Sequence, residues 1–206
     1  SRGLGDVYKR QLISVAGNSA VSIPTAGTTL TYSGGDLNVG SHTLSIGGAG
    51  TFSNATGSPL VLDVADSILS LTGNGTISGP LKLESGTLKS TGSPIVSGAM
   101  TQYSDVTIEV STNQTLTYSG APFSLGANTL TLTGGGTLVS GGLDLNNADS
   151  KLLLNSITVD SVSTTIDNSL GVDVDNNSMI TSLSVANITP VSIASGKTLS
   201  GAITVT

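Results

Sequence analysis

The chain has 206 residues, a formal net charge of −6, a mean hydropathy of +0.26 and only 3% aromatic residues. It contains no cysteine, which excludes a disulfide scaffold, a zinc ribbon and thiol catalysis. The net negative charge argues against a basic surface that binds nucleic acid or anionic lipid. The mean hydropathy is too high for a disordered acidic tail.

The first eleven residues, SRGLGDVYKRQ, differ in composition from everything that follows. They contain both arginines of the chain, Arg2 and Arg10, and three of its seven basic residues. The segment resembles, without a mismatch, a translation of the adapter used in transposase-based sequencing libraries. We therefore interpret residues 1–11 as non-native. Without them the net charge changes from −6 to −8, because three basic residues and Asp6 are removed.

Residues 12–206 are dominated by short apolar-polar-apolar triplets, separated by Gly, Asn, Ser and Asp. This alternation is typical of a β-strand with one buried face, and the intervening residues tolerate tight turns. About twelve such strands lie between Val21 and Val106, and helix signals are missing throughout. The clearest triplets are Leu37-Asn38-Val39, Leu44-Ser45-Ile46, Leu69-Ser70-Leu71, Leu81-Lys82-Leu83, Leu130-Thr131-Leu132, Leu143-Asp144-Leu145, Val172-Asp173-Val174 and Leu183-Ser184-Val185.

A longer repeat organises these strands. Residues 29–52 and 115–138 are identical at 12 of 24 positions without a gap, whereas this composition gives about one in ten by chance. Three similar triplets, Val21-Ser22-Ile23, Val106-Thr107-Ile108 and Val191-Ser192-Ile193, recur at an equal spacing of about 85 residues. We therefore predict repeat units at residues 21–105 and 106–190, and a third unit, residues 191–206, that is cut off in mid-repeat.

Strand length and the scarcity of aromatic residues distinguish between all-β architectures. Antiparallel sandwiches use strands of about five or six residues and aromatic cores, and membrane barrels need strands of about ten residues with aromatic girdles. Three short strands per coil give a coil of about 21 residues, and four coils fill the repeat unit. We predict an all-β, single-stranded parallel β-solenoid over residues 12–206. A β-propeller or tandem β-sandwiches, with a half-unit of about 42 residues, is the alternative.

Two phrases in the second half of the chain resemble a known group of proteins. GANTLTLTGGGTL, at residues 126–138, and SGKTL, at residues 195–199, are similar to repeats of bacterial autotransporter passengers and haemagglutinin-type adhesins. The resemblance extends loosely over residues 21–206. It implies a secreted, right-handed β-helix presented on a bacterial surface, and it implies no catalytic residue.

One motif has the first spacing of a calcium loop. Asp173-x-Asp175-x-Asn177 begins like such a loop, but Ser178 stands where the sharp-turn Gly belongs and Ser184 where the bidentate Glu belongs. The Gly-rich stretches at residues 47–52 and 134–138 lack the aspartate of calcium-binding repeats. We interpret all three segments as turns and predict no metal site and no cofactor.

Two further signals of chemistry are incomplete. Gly196-Lys197-Thr198 resembles the end of a phosphate loop, but Val191 occupies the place of the first Gly and a strand is predicted to follow. His42 is the single histidine, and its counterpart in the second unit is Asn128. No serine is singled out as the partner of a Ser-His-Asp site, so we interpret both segments as solenoid turns.

Paired carboxylates are the remaining catalytic possibility, because many solenoids degrade polysaccharides with acidic clusters on one face. Asp63 with Asp66, and Asp105 with Glu109, are the candidate pairs. Enzymes of this architecture usually add an arginine or histidine that holds the acid groups of the substrate, and residues 12–206 contain no arginine and one histidine. We therefore predict that the chain is not an enzyme and has no catalytic residue.

Threonine spacing raises the possibility of ice or mineral binding through hydroxyl groups on a flat face. Thr29-x-Thr31, Thr115-x-Thr117 and Thr129-x-Thr131-x-Thr133 have the required spacing along one strand. Because these groups do not recur once per coil of about 21 residues, we predict no continuous threonine array.

These observations favour a non-catalytic structural or adhesive function. Stacked coils that contact only their neighbours add length without adding a site, which suits a stalk or a surface-binding passenger. We expect an extracellular location on a bacterial surface, and partners that are glycans or proteins of a host or neighbouring cell, with no nucleic acid and no membrane insertion. The alternative is a β-helix protein that binds or degrades polysaccharide.

Overall fold

A computed structural model describes residues 13–161, 163–167, 169–186 and 189–206. The adapter-like segment, residues 1–11, lies outside the described residues. Within these ranges every regular element is a β-strand, and no helix has the length and apolar character needed to cross a bilayer. The predicted all-β class is therefore confirmed.

The described residues form 26 strands, most of them two to five residues long. Strands this short arise because Gly, Asn, Asp and Ser interrupt the alternating pattern every few residues. In chain order they are β1 (Ile13–Ser14), β2 (Ser19–Ile23), β3 (Thr29–Tyr32), β4 (Leu37–Asn38), β5 (Thr43–Gly48), β6 (Thr51–Asn54), β7 (Leu60–Leu62), β8 (Ile68–Leu71), β9 (Thr76–Ser78), β10 (Leu81–Leu83), β11 (Thr87–Ser90), β12 (Ile95–Val96), β13 (Met100–Gln102), β14 (Val106–Val110), β15 (Thr115–Tyr118), β16 (Phe123–Ser124), β17 (Thr129–Thr133), β18 (Thr137–Ser140), β19 (Leu143–Leu145), β20 (Lys151–Asn155), β21 (Thr158–Ser161), β22 (Thr164–Ile166), β23 (Gly171–Val174), β24 (Ser178–Val185), β25 (Val191–Ile193) and β26 (Leu199–Val205).

Each strand up to β21 lies beside the strand three places further along the chain, which builds three faces around one core. Face 1 comprises β1, β4, β7, β10, β13, β16, β19 and β22; face 2 comprises β2, β5, β8, β11, β14, β17, β20, β23 and β25; face 3 comprises β3, β6, β9, β12, β15, β18 and β21. The long strands β24 and β26 continue face 3 with their first residues and face 1 with their last. Along face 1, β13 and β16 are adjacent without pairing.

All pairings between these strands are parallel, for example β2 with β5 and β5 with β8. The predicted parallel β-solenoid is confirmed, and the propeller and sandwich alternatives are wrong because both need antiparallel neighbours.

Coil length varies around the predicted mean of about 21 residues, yet the repeat unit contains the predicted four coils. On face 2, the Cα partner of Ser19 is Leu44 and that of Leu69 is Leu88, so the first of these coils is several residues longer than the other. The three equivalent triplets of the repeat begin in β2, β14 and β25, and each is separated from the next by four steps along face 2. Variation in coil length is therefore absorbed by turns, while the stacking of strands is preserved.

The core consists of columns of aliphatic side chains, one from each coil. Alternate residues of a strand point to opposite sides, so the apolar members of each predicted triplet face inward and are buried, apart from the half-buried Leu37 near the first coil. Burying a leucine fully contributes about 1.5–3 kcal/mol relative to leaving it exposed. One column on face 2, with every member at most 4% exposed, contains Leu44, Leu69, Leu88, Ile108, Leu132, Leu154 and Val174.

Polar side chains in the turns tie each coil to the next. The side-chain oxygens of Asn18, Asn74 and Asp105 each accept a hydrogen bond from a backbone N–H of the following coil, at 2.7–2.9 Å. These N–H groups lie at or just before the start of a strand, where no backbone carbonyl of the neighbouring strand accepts their hydrogen bond. Asn and Asp at the corners therefore satisfy backbone donors as well as permitting the turn.

The turns between faces 2 and 3 stack closely because glycines coincide there in three successive coils. A Cβ atom added to Gly73 would lie 2.2 Å from the carbonyl oxygen of Gly48, and one added to Gly92 would lie 2.3 Å from that of Gly73. Gly48 also has a φ of 98°, a conformation that other residues rarely adopt. Within the segment predicted to be a turn, residues 47–52, only residues 49 and 50 lie between strands, and the others belong to the ends of β5 and β6, which meet at this close-packed corner.

Candidate functional surfaces

Asp105 and Glu109, the first predicted carboxylate pair, are held apart by an extended strand. Asp105 directly precedes β14 and Glu109 lies within it, so the two are four residues apart, about 13 Å in an extended chain, whereas the two carboxyl groups of glycosidases are about 5–9.5 Å apart. Glu109 forms a salt bridge with Lys89 at 2.8 Å, and Asp105 accepts a hydrogen bond from the Thr129 N–H at 2.7 Å. Both carboxylates therefore make contacts between coils.

Asp63 and Asp66, the second pair, lie in the turn that follows β7. The Asp63 carboxylate accepts hydrogen bonds from the Gly40 N–H at 2.7 Å and from Asn38 Nδ2 at 3.2 Å, both in the preceding coil. Asp66 is exposed to solvent. The first carboxylate is thus engaged in connecting two coils, and the second is solvated.

The calcium-like motif is likewise divided between different partners. Asp173, on the outer side of β23, forms a salt bridge with Lys151 at 2.6 Å. Asp175 is exposed, and Asn177 accepts a hydrogen bond from the Thr198 N–H at 3.1 Å. Within the described ranges no group of three or more His, Cys, Asp or Glu is placed to hold a metal ion. The motif therefore begins on β23 with Asp173, and only Asp175, Asn176 and Asn177 form the turn before β24.

His42 and the Gly196-Lys197-Thr198 segment also lie in turns. The His42 carbonyl accepts a hydrogen bond from the Ile68 N–H at 3.0 Å, and the carbonyl of Asn128, its counterpart, accepts one from the Lys151 N–H at 3.1 Å. The two positions of the repeat thus share a backbone role that does not depend on the imidazole. Gly196-Lys197-Thr198 connects β25 to the predicted strand, β26.

Face 3 carries columns of hydroxyl groups on its outer side. The register places Thr29, Thr51 and Thr76 beside one another in three successive coils, with Thr31, Ser53 and Ser78 in a second column two residues along the strands. Further along the same face, Thr115, Thr137 and Thr158 form another column. Neighbours in a column are about 4.8 Å apart, and the two columns are separated by about 6.7 Å.

Threonines therefore recur over three successive coils in each of these stretches of face 3, contrary to the expectation that they do not recur from coil to coil. The first column ends at Ile95 of β12, which lies beside Thr76, so the array is not continuous along the face. The paired threonines singled out in the sequence lie on two different faces, since Thr29 and Thr115 are on face 3 and Thr129 is on face 2. The threonines that complete the first column, Thr51 and Thr76, follow at unequal intervals, so a search with one fixed period does not find them. A Gly-Thr-apolar motif occurs at residues 50–52 and 75–77 of this column, but it also occurs at residues 86–88 on face 2, so it does not identify the face by itself.

The outer surfaces of faces 2 and 3 differ in charge. The strands of face 3 from β3 to β21 contain one charged residue, Asp160, among the described positions. Face 2 carries the salt bridges Lys89–Glu109 and Lys151–Asp173. Face 3 is therefore a nearly neutral, hydroxyl-bearing surface, and face 2 is a charged one.

Face 2 also contains a shallow depression of about 480 Å³ that crosses several coils. A column of Thr87, Thr107 and Thr131 runs along it, with Asp105 and Lys151 beside it. The depression therefore offers hydroxyl donors and acceptors together with both signs of charge.

No family model, curated protein or solved structure matches the chain. The functional conclusion therefore rests on the geometry of its own residues.

Proposed function

We propose that this chain is a non-catalytic, structural and adhesive segment of a secreted or surface-displayed bacterial protein, in which the stacked coils act as a stalk. The observation that carries the proposal is the continuous parallel stack, with nine strands on face 2 and an aliphatic column through them. Such a stack transmits load along its axis through hydrogen bonds in every coil and gains length in equal steps. The resemblance to adhesin repeats supports the extracellular location.

The partners proposed for the adhesive role are glycans or proteins on a neighbouring cell surface. Face 3 supports this role because its hydroxyl columns are flat, nearly neutral and repeated. Each hydroxyl can both donate and accept a hydrogen bond, so a partner with regularly spaced hydroxyl or amide groups can be bound at many weak points along the stalk.

Deletion of residues 106–190 tests the stalk function. This deletion removes one four-coil unit and joins residue 105 to Val191, which begins a strand equivalent to the one at Val106. The coils on the two sides of the new junction should therefore stack on each other. The length of the solenoid should fall by about 19 Å, or four coils of about 4.8 Å. Small-angle scattering, or the distance between spin labels near the two ends, measures the change.

The matched control is deletion of residues 106–137, which removes a non-integral number of coils and misaligns the faces. This control should lose β-structure by circular dichroism. The stalk proposal would be contradicted by a unit deletion that leaves the length unchanged, or by a control that folds as well as the unit deletion.

A second candidate function is binding of a polysaccharide chain in the face 2 depression, which the Thr87, Thr107 and Thr131 column favours. Affinity electrophoresis in gels that contain neutral or acidic polysaccharides tests it. Replacing Thr107 and Thr131 by valine, which keeps the shape and removes the hydroxyl groups, should abolish any retardation. Thr137→Val on face 3 is the control, and equal loss in the control would assign the binding to another surface.

A further inference from the structure

The backbone ladder of face 1 is interrupted between the two repeat units. The face 1 strands from β1 to β13 form one continuous ladder and those from β16 to β22 form another, but β13 and β16 have no paired residues. In the same coils, β14 pairs with β17 on face 2 and β15 pairs with β18 on face 3. We call the contact between β13 and β16 the seam. Within the described ranges it is the one interruption along the three faces.

The first backbone N–H of β13 has a side-chain acceptor where the other strands of face 1 have a carbonyl. The N–H groups of Leu60, Leu81 and Leu143, each the first residue of its strand, donate to backbone carbonyls of the next coil at 2.9–3.1 Å. The Met100 N–H donates instead to the hydroxyl of Tyr118 at 3.3 Å. Tyr118 ends β15 of the same coil as β13, so this bond does not join one coil to the next.

The ring of Tyr118 packs at the seam. It is buried and lies edge-on to the ring of Phe123, the first residue of β16, with 6.1 Å between the ring centroids. A Cβ atom added to Gly120 would lie 2.4 Å from the Tyr118 hydroxyl, so the turn that leads to β16 is packed around this group. Side-chain contacts thus replace a ladder bond at the start of β13.

A buried amide crosses the seam at the other end of β13. Gln102 is 7% exposed, and its Nε2 donates to the carbonyls of Ser104 at 2.9 Å and of Thr129, in the next coil, at 2.8 Å. Its Oε1 is buried and has no hydrogen-bond partner in the described part of the chain. The preceding residues of the same column, Leu62 and Leu83, are apolar and buried. Because an unpaired buried acceptor is destabilising, the closed seam is less stable than the paired levels of face 1.

We propose that the seam is a hinge, at which face 1 opens while faces 2 and 3 stay joined, so that the two repeat units bend relative to each other. Opening breaks the side-chain contacts of Tyr118 and Gln102 but no ladder bond between β13 and β16, and it lets water donate to Gln102 Oε1. Segments with few backbone hydrogen bonds open at the lowest free energy, and a local opening of this kind permits hinge motion. The use of this hinge in a stalk that bends under lateral load rests on the proposed function.

Two pairs of spin labels on the outer side of face 1 test the hinge. The chain has no cysteine, so each pair can be introduced as a double cysteine variant. Thr101 and Thr165 are three strands apart across the seam, and Ser124 and Ser184 are three strands apart along the uninterrupted ladder. Both separations are about 14 Å, and all four side chains are small hydroxyl groups on the outer side of their strands.

Dipolar EPR spectroscopy on the full chain measures the two distance distributions. We expect the Thr101–Thr165 distribution to be broader than the Ser124–Ser184 distribution and to extend to longer distances. Tyr118→Phe, which keeps the ring and removes the hydroxyl, should broaden the first distribution further and leave the second unchanged. Two equal distributions, or a Tyr118→Phe variant that changes both pairs alike or neither, would overturn the proposal.

Hydrogen exchange on the unaltered chain provides a measurement without any substitution. The Met100 amide should be protected about tenfold less than the Leu81 amide, because one backbone hydrogen bond contributes up to about 1.5 kcal/mol, or about tenfold in an equilibrium constant. Equal protection would contradict the hinge. A rigid seam would leave the stalk proposal intact, since length depends on the number of coils, and a failed unit-deletion experiment would leave the hinge intact.

Discussion

At the residue scale, the tyrosines of the two repeat units differ in how their hydroxyl groups are satisfied. The hydroxyl of Tyr32 is buried and has no hydrogen-bond partner in the described part of the chain, whereas that of its counterpart, Tyr118, accepts a hydrogen bond from the Met100 N–H at 3.3 Å. Burial, and then the negative charge of Asp36, raise the pKa of Tyr32 above its ordinary value. Equivalent residues of the repeat therefore have different energetic roles.

This difference predicts opposite outcomes for two matched variants. Tyr32→Phe should leave the free energy of unfolding at pH 7 unchanged or slightly higher, while Tyr118→Phe should lower it by about 0.5–1.5 kcal/mol. The pKa of Tyr32 is higher in the folded chain than in the unfolded chain, so the unfolded chain loses the phenol proton at a lower pH. Tyr32 should therefore lower the free energy of unfolding as pH rises above about 10. Tyr32→Phe should make that decline shallower. Urea unfolding at pH 7 and pH 10.5 measures both effects, and equal destabilisation of the two variants at pH 7 would contradict the assignment.

Neighbouring residues of one strand provide a second test at this scale. Leu130 is 0% exposed, and Thr131 lies on the outer side of the same strand. Leu130→Asp should therefore lower the free energy of unfolding by about 3 kcal/mol or more, because it buries a carboxylate without a partner. Thr131→Asp should change it by less than about 0.5 kcal/mol. Chemical denaturation compares the two, and a larger effect for Thr131→Asp would refute the inward assignment of Leu130.

At the element scale, the turns between faces 2 and 3 limit which residues the chain accepts. Gly73 lies against the backbone of Gly48. Its φ is not positive, so the close contact alone explains why a glycine is required there. Gly73→Ala should therefore cost about 1–3 kcal/mol through overpacking alone. Gly17→Ala is the control, because an added Cβ there has no atom within 4 Å. If thermal or urea unfolding shows equal stability for both variants, the turns do not stack as closely as described.

At the scale of the whole molecule, a solenoid is stabilised locally, because each coil contacts only its neighbours. Damage from Leu130→Asp should therefore begin in the coils around β17 and leave residues 43–71 protected at first. Hydrogen exchange on this variant, with Thr131→Asp as the control, resolves the protection coil by coil. A uniform loss of protection over both repeat units would indicate a single cooperative domain instead.

Local patterns along the chain were enough to predict the strands, their inward and outward sides, and the four-coil repeat. Period-2 alternation is a local property, so triplets such as Leu44-Ser45-Ile46 and Val172-Asp173-Val174 identify their buried faces without knowledge of their neighbours. The segment around Lys197 lies in a turn, as its local pattern predicted, whereas Asp173 lies on β23 and only the residues that follow Val174 form a turn.

The lateral alignment of residues in successive coils, by contrast, became known only from the folded chain. Lateral register depends on the lengths of all the turns in a coil, and those lengths differ between the Ser19–Leu44 and Leu69–Leu88 steps of face 2. The summed length of the turns in each coil determines which residues align. It places Thr29 beside Thr51 and Thr51 beside Thr76, and it brings Gly73 into close contact with Gly48.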